Sequence, residues 1–324
     1  MQFQPKPYHI LSEDEFPIQI PAIEAELSGY ANTGTFASFD GNEIAYQYFL
    51  CESAKANVII VHGFTEFYKK YYELTWYLLQ EKYNVFLYDQ RGHGLSHRHV
   101  TNPELVHVDR FDDYAQDLAV FIDTVVTPSA PDLPLDIYAH SMGGTVTLFY
   151  LSGYSNSVRK AFLSAPMVTP YAGGIPRSLI RIGAMRYLHK FGAKSHFPYS
   201  GQFNPHANFN ESSDASFSRF SYYLNMRCEN REYQTSGATN QWMNQVARLQ
   251  SRMLRKSFAS HIQTPICLVS CGQDRAVRTP QQRRMAALLP NCRLISVPDA
   301  AHSLYTSTGK QLTDFYELLF DFLR

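Results

Sequence analysis

Six short runs of this chain are almost continuously apolar, and this constrains the fold more than any other feature of the sequence. They are 58–62 within "NVIIVH", "NVFLYD" at 84–89, "LDIYA" at 135–139, "RKAFLSA" at 159–165, "PICLVSCG" at 265–272 and "CRLISVP" at 292–298. A strand with one face in water alternates apolar and polar residues, whereas a strand covered on both faces reads as an unbroken apolar run. Between the runs lie segments of helical pattern, at roughly 69–82, 111–126, 142–152, 280–289 and 310–323. In the second of these, Tyr114, Leu118 and Phe121–Ile122 share one face at helical spacing. Strands and helices alternating in this way predict an α/β chain, with a mostly parallel central sheet flanked by helices. "TFASFD" and "NEIAYQYFL", separated around Asp40-Gly41-Asn42, predict a β-hairpin in front of it.

The 324 residues are 45% hydrophobic and 18% charged, which supports a large core and excludes wholesale disorder. No stretch approaches the ~20 consecutive apolar residues of a membrane span. The start, "MQFQPKPYHILSEDEF", lacks a basic-then-apolar signal pattern, so a cytoplasmic location is expected. The five cysteines are scattered. Cys267 and Cys271 would sit about 13 Å apart along one strand, too far for a disulfide, so free thiols are expected. No metal-ligand spacing, cofactor motif or nucleic-acid partner is expected either. Net charge is zero, but it is unevenly spread: residues 166–262 hold 12 of the 29 Lys and Arg against 4 of the 29 acids, a net +8. That asymmetry, with an interruption too long for an ordinary connection, predicts a core at 1–165 and 261–324 and an inserted helical cap at 166–260. Residues 1–34 read as an N-terminal extension of the core.

"YAHSMGG" (138–144) lies where an apolar strand turns directly into a helix. In a nucleophile elbow, G-x-S-x-G, small residues flank the serine because larger side chains would collide in the sharp turn. Here the pattern is Ala139-x-Ser141-x-Gly143, with alanine in place of the first glycine. A serine capping a helix would give a similar string. A serine nucleophile needs a base and an acid that orients it, which follow in the order serine, acid, histidine. Among the downstream histidines only His302 follows the last predicted strand, in the loop "PDAAHSLY". Such loops lie at the carboxyl ends of the strands, where open α/β sheets bind ligands. Asp274, just past the strand in "CLVSCGQDRAV", is the candidate acid, and Asp299, three residues before His302, is its rival.

The N–H after the nucleophile, that of Met142, and one from the loop after an earlier strand, that of Phe64 in "VHGFTE", are the candidate oxyanion donors. "DQRGHGLS" (89–96) is Gly-rich but lacks phosphate-loop spacing, so it reads as a structural turn with Arg91 as an ion-pair partner. His93, His97 and His99 have no companion ligands that would complete a metal site.

From about residue 35 to its end the chain resembles the α/β-hydrolase superfamily. The segments that carry this are "VHGFTEFYKKYYELTWYLL", "VFLYDQRGHGLSHR", "HVDRFDDYAQDLAVFID", "AHSMGG", "GQDRAV" and "AAHSLY". The nearer resemblance is to the lysophospholipase and monoacylglycerol lipase branch, whose members share a serine aminopeptidase-like hydrolase domain. "HVDRFDDYAQDL" is most similar to bacterial lysophospholipases. The resemblance implies a triad of Ser141, Asp274 and His302, with oxyanion amides from Phe64 and Met142. It implies a cofactor-independent serine esterase acting on a lysophospholipid or monoacylglycerol. Glu66 stands where many monoacylglycerol lipases carry a more extended, histidine-containing motif. A peptidase or small-ester hydrolase on the same scaffold is the alternative enzyme, and a non-enzymatic ligand receptor the alternative outside catalysis. The acid-free segment "PRSLIRIGAMRYLHKFGAKSHF" would either pack for structural reasons or meet a lipid chain. The basic cap raises the further expectation of peripheral contact with the anionic inner face of the cytoplasmic membrane.

Overall fold

The computed structural model describes residues 1–154, 157–171, 177–198, 200–212 and 214–324, with only the backbone of 177, 178 and 180. In chain order the elements are α1 (Phe16–Tyr30), β1 (Asn32–Ala37), β2 (Glu43–Phe49), β3 (Ala56–Val61), α2 (Tyr72–Gln80), β4 (Tyr83–Tyr88), β5 (Leu105–Val106), α3 (Asp112–Phe121), β6 (Leu135–His140), α4 (Met142–Gly153) and β7 (Val158–Ser164). Then come α5 (Arg177–Phe191), α6 (Phe217–Glu229), β8 (Gly237–Ala238), α7 (Asn240–Met253), β9 (Ile266–Cys271), α8 (Thr279–Leu288), β10 (Cys292–Val297) and α9 (Gly309–Leu323).

Eight strands form one sheet in the order β1-β2-β4-β3-β6-β7-β9-β10. The β1–β2 and β2–β4 pairs are antiparallel, and every later pair is parallel. The sheet explains the unbroken apolar runs, because its two faces take alternate residues of the same strand. Ile59 and Val61 of β3 join a core with α3, α4, α7 and α8, while Val58 and Ile60 join another with α1, α2 and α9. The predicted helix over 111–126 is α-helical to Phe121, widens over Ile122–Val126 and returns to α-helix for one last turn over Thr127–Ser129. Pro128, which has no N–H to donate, lies in that last turn. All five cysteines are free.

Helices α5, α6 and α7 and a short helix at Lys256–Ala259 fall between β7 and β9 among the described residues. Trp242, Val246, Leu249 and Met253 of α7 join the hydrophobic core on one face of the sheet. Helix α6 is held by the N-terminal thirty residues. Phe16, Ile20, Ile23 and Leu27, one stripe of α1, are buried. Glu13 caps the start of α6, accepting from Ser216 Oγ at 2.6 Å and Ser218 N at 2.7 Å. Arg219 of α6 is fully buried: its Nε and Nη2 donate to Glu73 at 2.8 and 2.5 Å, and Nη2 also donates to Leu11 O at 3.1 Å. Its guanidinium lies over the Phe16 ring.

Removing one member of a buried ion pair strands the other, which costs about 3–5 kcal/mol. Arg219→Met is therefore expected to lose stability of that order in denaturant titrations. Arg219→Met combined with Glu73→Gln should recover part of the loss, because the stranded carboxylate is gone. A loss below about 1 kcal/mol, the scale of an exposed pair, would show that this contact is not a buried ion pair in solution.

Candidate active site

Strand β6 ends at His140 and α4 begins at Met142, so Ser141 alone makes the turn, with φ 51° and ψ −117°. A non-glycine residue at positive φ is strained and persists only where its surroundings enforce it. Here they do. A Cβ on Gly143 would lie 2.0 Å from Val61 O, and one on Gly144 would lie 2.6 Å from Pro166 Cβ. Ala139, in the position of the elbow's first glycine, is fully buried without distorting β6.

His302 Nε2 lies 2.9 Å from Ser141 Oγ, and His302 Nδ1 lies 2.7 Å from Asp274 Oδ2. The other oxygen of Asp274 accepts from Ala276 N at 2.8 Å and Val277 N at 2.9 Å. A carboxylate held on this side accepts the imidazole Nδ1–H, which leaves Nε2 to accept the serine hydroxyl proton. Ser141, Asp274 and His302, the triad that the resemblance implies, are thus brought into one hydrogen-bonded line, and Asp299, the rival acid, is not. Asp299 is exposed at the surface and makes no ion pair with His302.

The loop after β3 carries Gly63 and Phe64. Among the described residues, neither Phe64 N nor Met142 N donates to another group of the protein. The Met142 N–H is one of the donors that a helix's first turn leaves unpartnered. Sequence reasoning missed what holds this loop. The Glu66 carboxylate is buried and accepts from Gly63 N at 2.6 Å, Tyr71 OH at 2.5 Å, Tyr305 OH at 2.8 Å and Lys70 Nζ at 2.9 Å. Burial alone would raise its pKa, but the Lys70 ammonium beside it holds it well below the usual carboxylate range. Glu66 therefore ties the Phe64 loop to Tyr305, three residues past His302. His140, whose ring lies 4.8 Å from that of His302, has its pKa pushed down to about 3, chiefly by burial. It therefore stays neutral at neutral pH.

Arg91 is an ion-pair partner, as expected: its Nε and Nη2 each donate to Asp117 at 2.6 Å, and Nη1 donates to Asp40 at 2.9 Å. Its loop is pinned by Asp89, which accepts from Tyr68 N and Leu95 N, and a Cβ on Gly94 would run into that carboxylate. His93 is buried against His62, and His97 packs on His99.

A cavity of about 520 Å³ opens over Ser141 and His302. Its walls include Phe64, Phe220, Trp242 and Met243, and Phe64 stacks on Trp242 with ring centroids 4.2 Å apart. The family profile described as serine aminopeptidase S33 (Hydrolase_4) matches residues 52–308. The chain belongs to the Hydrolase_4 family of α/β-hydrolases.

Relatives of the chain carry lysophospholipase and monoglyceride lipase names. It is 26% identical over 264 residues to a probable lysophospholipase L2 of Haemophilus influenzae, covering 81% of this chain and 82% of the relative. It is 36% identical over 132 residues to lysophospholipase L2 of Escherichia coli K12, covering 41% of this chain and 38% of the relative. The fold matches a soluble variant of monoglyceride lipase from Saccharomyces cerevisiae, with TM-score 0.73, 17% identity and coverage of 90% and 94% of the two chains. As a Hydrolase_4 member the chain belongs to a group of serine esterases and lipases. No helix among the described residues is long and apolar enough to cross a membrane.

Proposed function

We propose that the protein is a serine carboxylic-ester hydrolase that cleaves the acyl ester of a lysophospholipid or monoacylglycerol. The observation that carries this reading is the line of hydrogen bonds from Ser141 through His302 to Asp274, opening into a cavity with aromatic and apolar walls. Ser141 Oγ attacks the ester carbonyl carbon as its proton passes to His302 Nε2. Asp274 holds the imidazole and stabilises the imidazolium. The amides of Phe64 and Met142 receive the negative charge that develops on the carbonyl oxygen. His302 then gives its proton to the departing glycerol oxygen, leaving the acyl group on Ser141. It next takes a proton from the water that attacks the acyl-enzyme, and returns that proton to Ser141 Oγ as the fatty acid leaves. Residues 166–260 act as the cap over this core. The names of the relatives support the lipid substrate, and the family name keeps a peptidase in the test.

The deciding measurement is hydrolysis across lysophospholipids, monoacylglycerols, short nitrophenyl esters and aminoacyl amides. Long-chain monoacyl esters are expected to give the highest kcat/KM. Faster cleavage of the amides would replace this reading with a peptidase, and turnover of none of them would remove the enzyme.

The finer part of the proposal is peripheral contact with an anionic membrane through α5. Arg181, Arg186, Lys190 and Lys194 are exposed and make no ion pair among the described residues. The side chain of Arg177, the fifth base of this segment, lies outside the described residues. Leu179, Ile182 and Met185 are exposed on the same helix, so bases and apolar groups face water together. Cap charges that do pair with the body lie elsewhere, Arg219 with Glu73 and Arg252 with Asp112. Neutralising the four exposed bases to glutamine should weaken binding to anionic vesicles, by up to about 1 kcal/mol per charge. High salt should have the same effect on the unmodified protein. If the unmodified protein fails to bind such vesicles, the membrane part falls.

A further inference from the structure

The cavity over Ser141 contains a cation that makes no ion pair among the described residues. Arg227 of α6 lines it. Its Nε donates to Tyr233 O at 3.0 Å, and Nη2 donates to Thr235 O at 2.9 Å and Ser236 Oγ at 2.7 Å. The guanidinium lies over the Phe203 ring, 4.9 Å from its centroid. All three acceptors are neutral, no carboxylate stands within ion-pair distance, and Nη1 makes no hydrogen bond among the described residues. The other arginines removed from water are satisfied differently. Arg91 and Arg219 each meet carboxylates. Arg98 also lacks a carboxylate, but five oxygens saturate its two Nη groups and it does not line the cavity.

A partly desolvated charge without a counter-ion is costly, and burial accordingly pulls the Arg227 pKa down. With Nε and Nη2 engaged, the two N–H groups of Nη1 remain to donate, and a cationic donor held this rigidly matches anionic phosphate oxygens better than a neutral glycerol. The remaining ionised groups of the cavity fit that role. Lys70 is already engaged by Glu66, and Asp214 accepts from Thr306 Oγ1 at 3.1 Å without pairing to Arg227. The Asp214 carboxylate disfavours a doubly charged free phosphate more than a singly charged phosphodiester. We propose that Arg227 is the residue that recognises the phosphodiester of the substrate, so that the cavity selects lysophospholipids over monoacylglycerols. This rests on the ester-hydrolase reading above, and it assigns that reading's substrate.

On the full-length protein, sn-glycero-3-phosphocholine should compete with a short nitrophenyl ester, while glycerol and inorganic phosphate at the same concentration should compete much less. In Arg227→Gln, the ratio of kcat/KM for lysophosphatidylcholine to that for a monoacylglycerol of equal chain length should fall by roughly tenfold or more, mainly through KM. This is the size expected for a lost charge-assisted hydrogen bond. Arg227→Lys should recover part of it. An unchanged ratio, or inorganic phosphate competing as well as glycerophosphocholine, overturns the proposal. So does a wild-type protein that glycerophosphocholine does not inhibit. Ligand-observed NMR of glycerophosphocholine against wild type and Arg227→Gln separates this from the catalytic reading. Binding that depends on Arg227 in a protein that hydrolyses nothing would sink the esterase and leave the phosphate site standing.

Discussion

Ser141→Ala should abolish ester turnover, by a factor on the order of 10⁶, and His302→Ala should do the same. Ser141 has its hydroxyl against His302 Nε2 and sits at the one strained residue between β6 and α4. Alanine keeps that turn and removes only the oxygen that would carry the acyl group. The two residues act as a unit, so the double variant should be no worse than either single one. Melting temperature and circular dichroism establish that the variants are folded. A serine-directed phosphonate should label the parent protein stoichiometrically and the Ser141→Ala protein not at all. A folded Ser141→Ala protein with near-normal turnover would end the mechanism outright.

Asp274→Asn should lower kcat by about 10⁴, and Asp299→Asn should have little effect. The geometry gives the reason. One oxygen of Asp274 is occupied by the N–H groups of Ala276 and Val277, so an asparagine would keep its carbonyl there. Its NH₂ would then face His302 Nδ1, forcing the imidazole proton onto Nε2, where it opposes the serine hydroxyl. The histidine would remain in place as the wrong tautomer. Asp299 is solvent-exposed, and its amide would disturb only the loop. Assayed side by side on one ester, the two variants discriminate the candidate acids. Greater damage from Asp299→Asn would reverse the assignment.

The parallel strands were legible because burial on both faces removes alternation, and the observed β3, β4, β6, β7, β9 and β10 fall within about two residues of the apolar runs. Ser141 and His302 were legible because chain order after a strand end restricts which loops can meet, while the choice of Asp274 over Asp299 as the acid came from the resemblance and is met by the geometry. Helix α1 was not read, although its stripe of Phe16, Ile20, Ile23 and Leu27 has helical spacing. Pro17 and Pro21 interrupt the pattern. Pro17 sits in the first turn, where its missing N–H costs nothing, while Pro21 forfeits one intrahelical bond that the buried stripe offsets. Glu66 and Arg219 were illegible for a different reason. Tyr305 lies 239 residues from Glu66, and Glu73 lies 146 residues from Arg219. Each alone looks like an ordinary surface charge, and only the fold supplies the partner that makes burial tolerable.

The anchoring of α6 bears on modularity. The stretch shared with Hydrolase_4 begins at residue 52, yet Leu11, Glu13 and Phe16, which seat α6, all precede it. The region that defines the family is therefore smaller than the unit that shapes the cavity. A minimal hydrolase cut to the shared region would keep Ser141, Asp274 and His302 but lose the mounting of the helix that carries Phe220 and Arg227. A chimera that transplants α6 into a relative, to transfer its selectivity, would have to carry the first thirty residues along as part of the same graft.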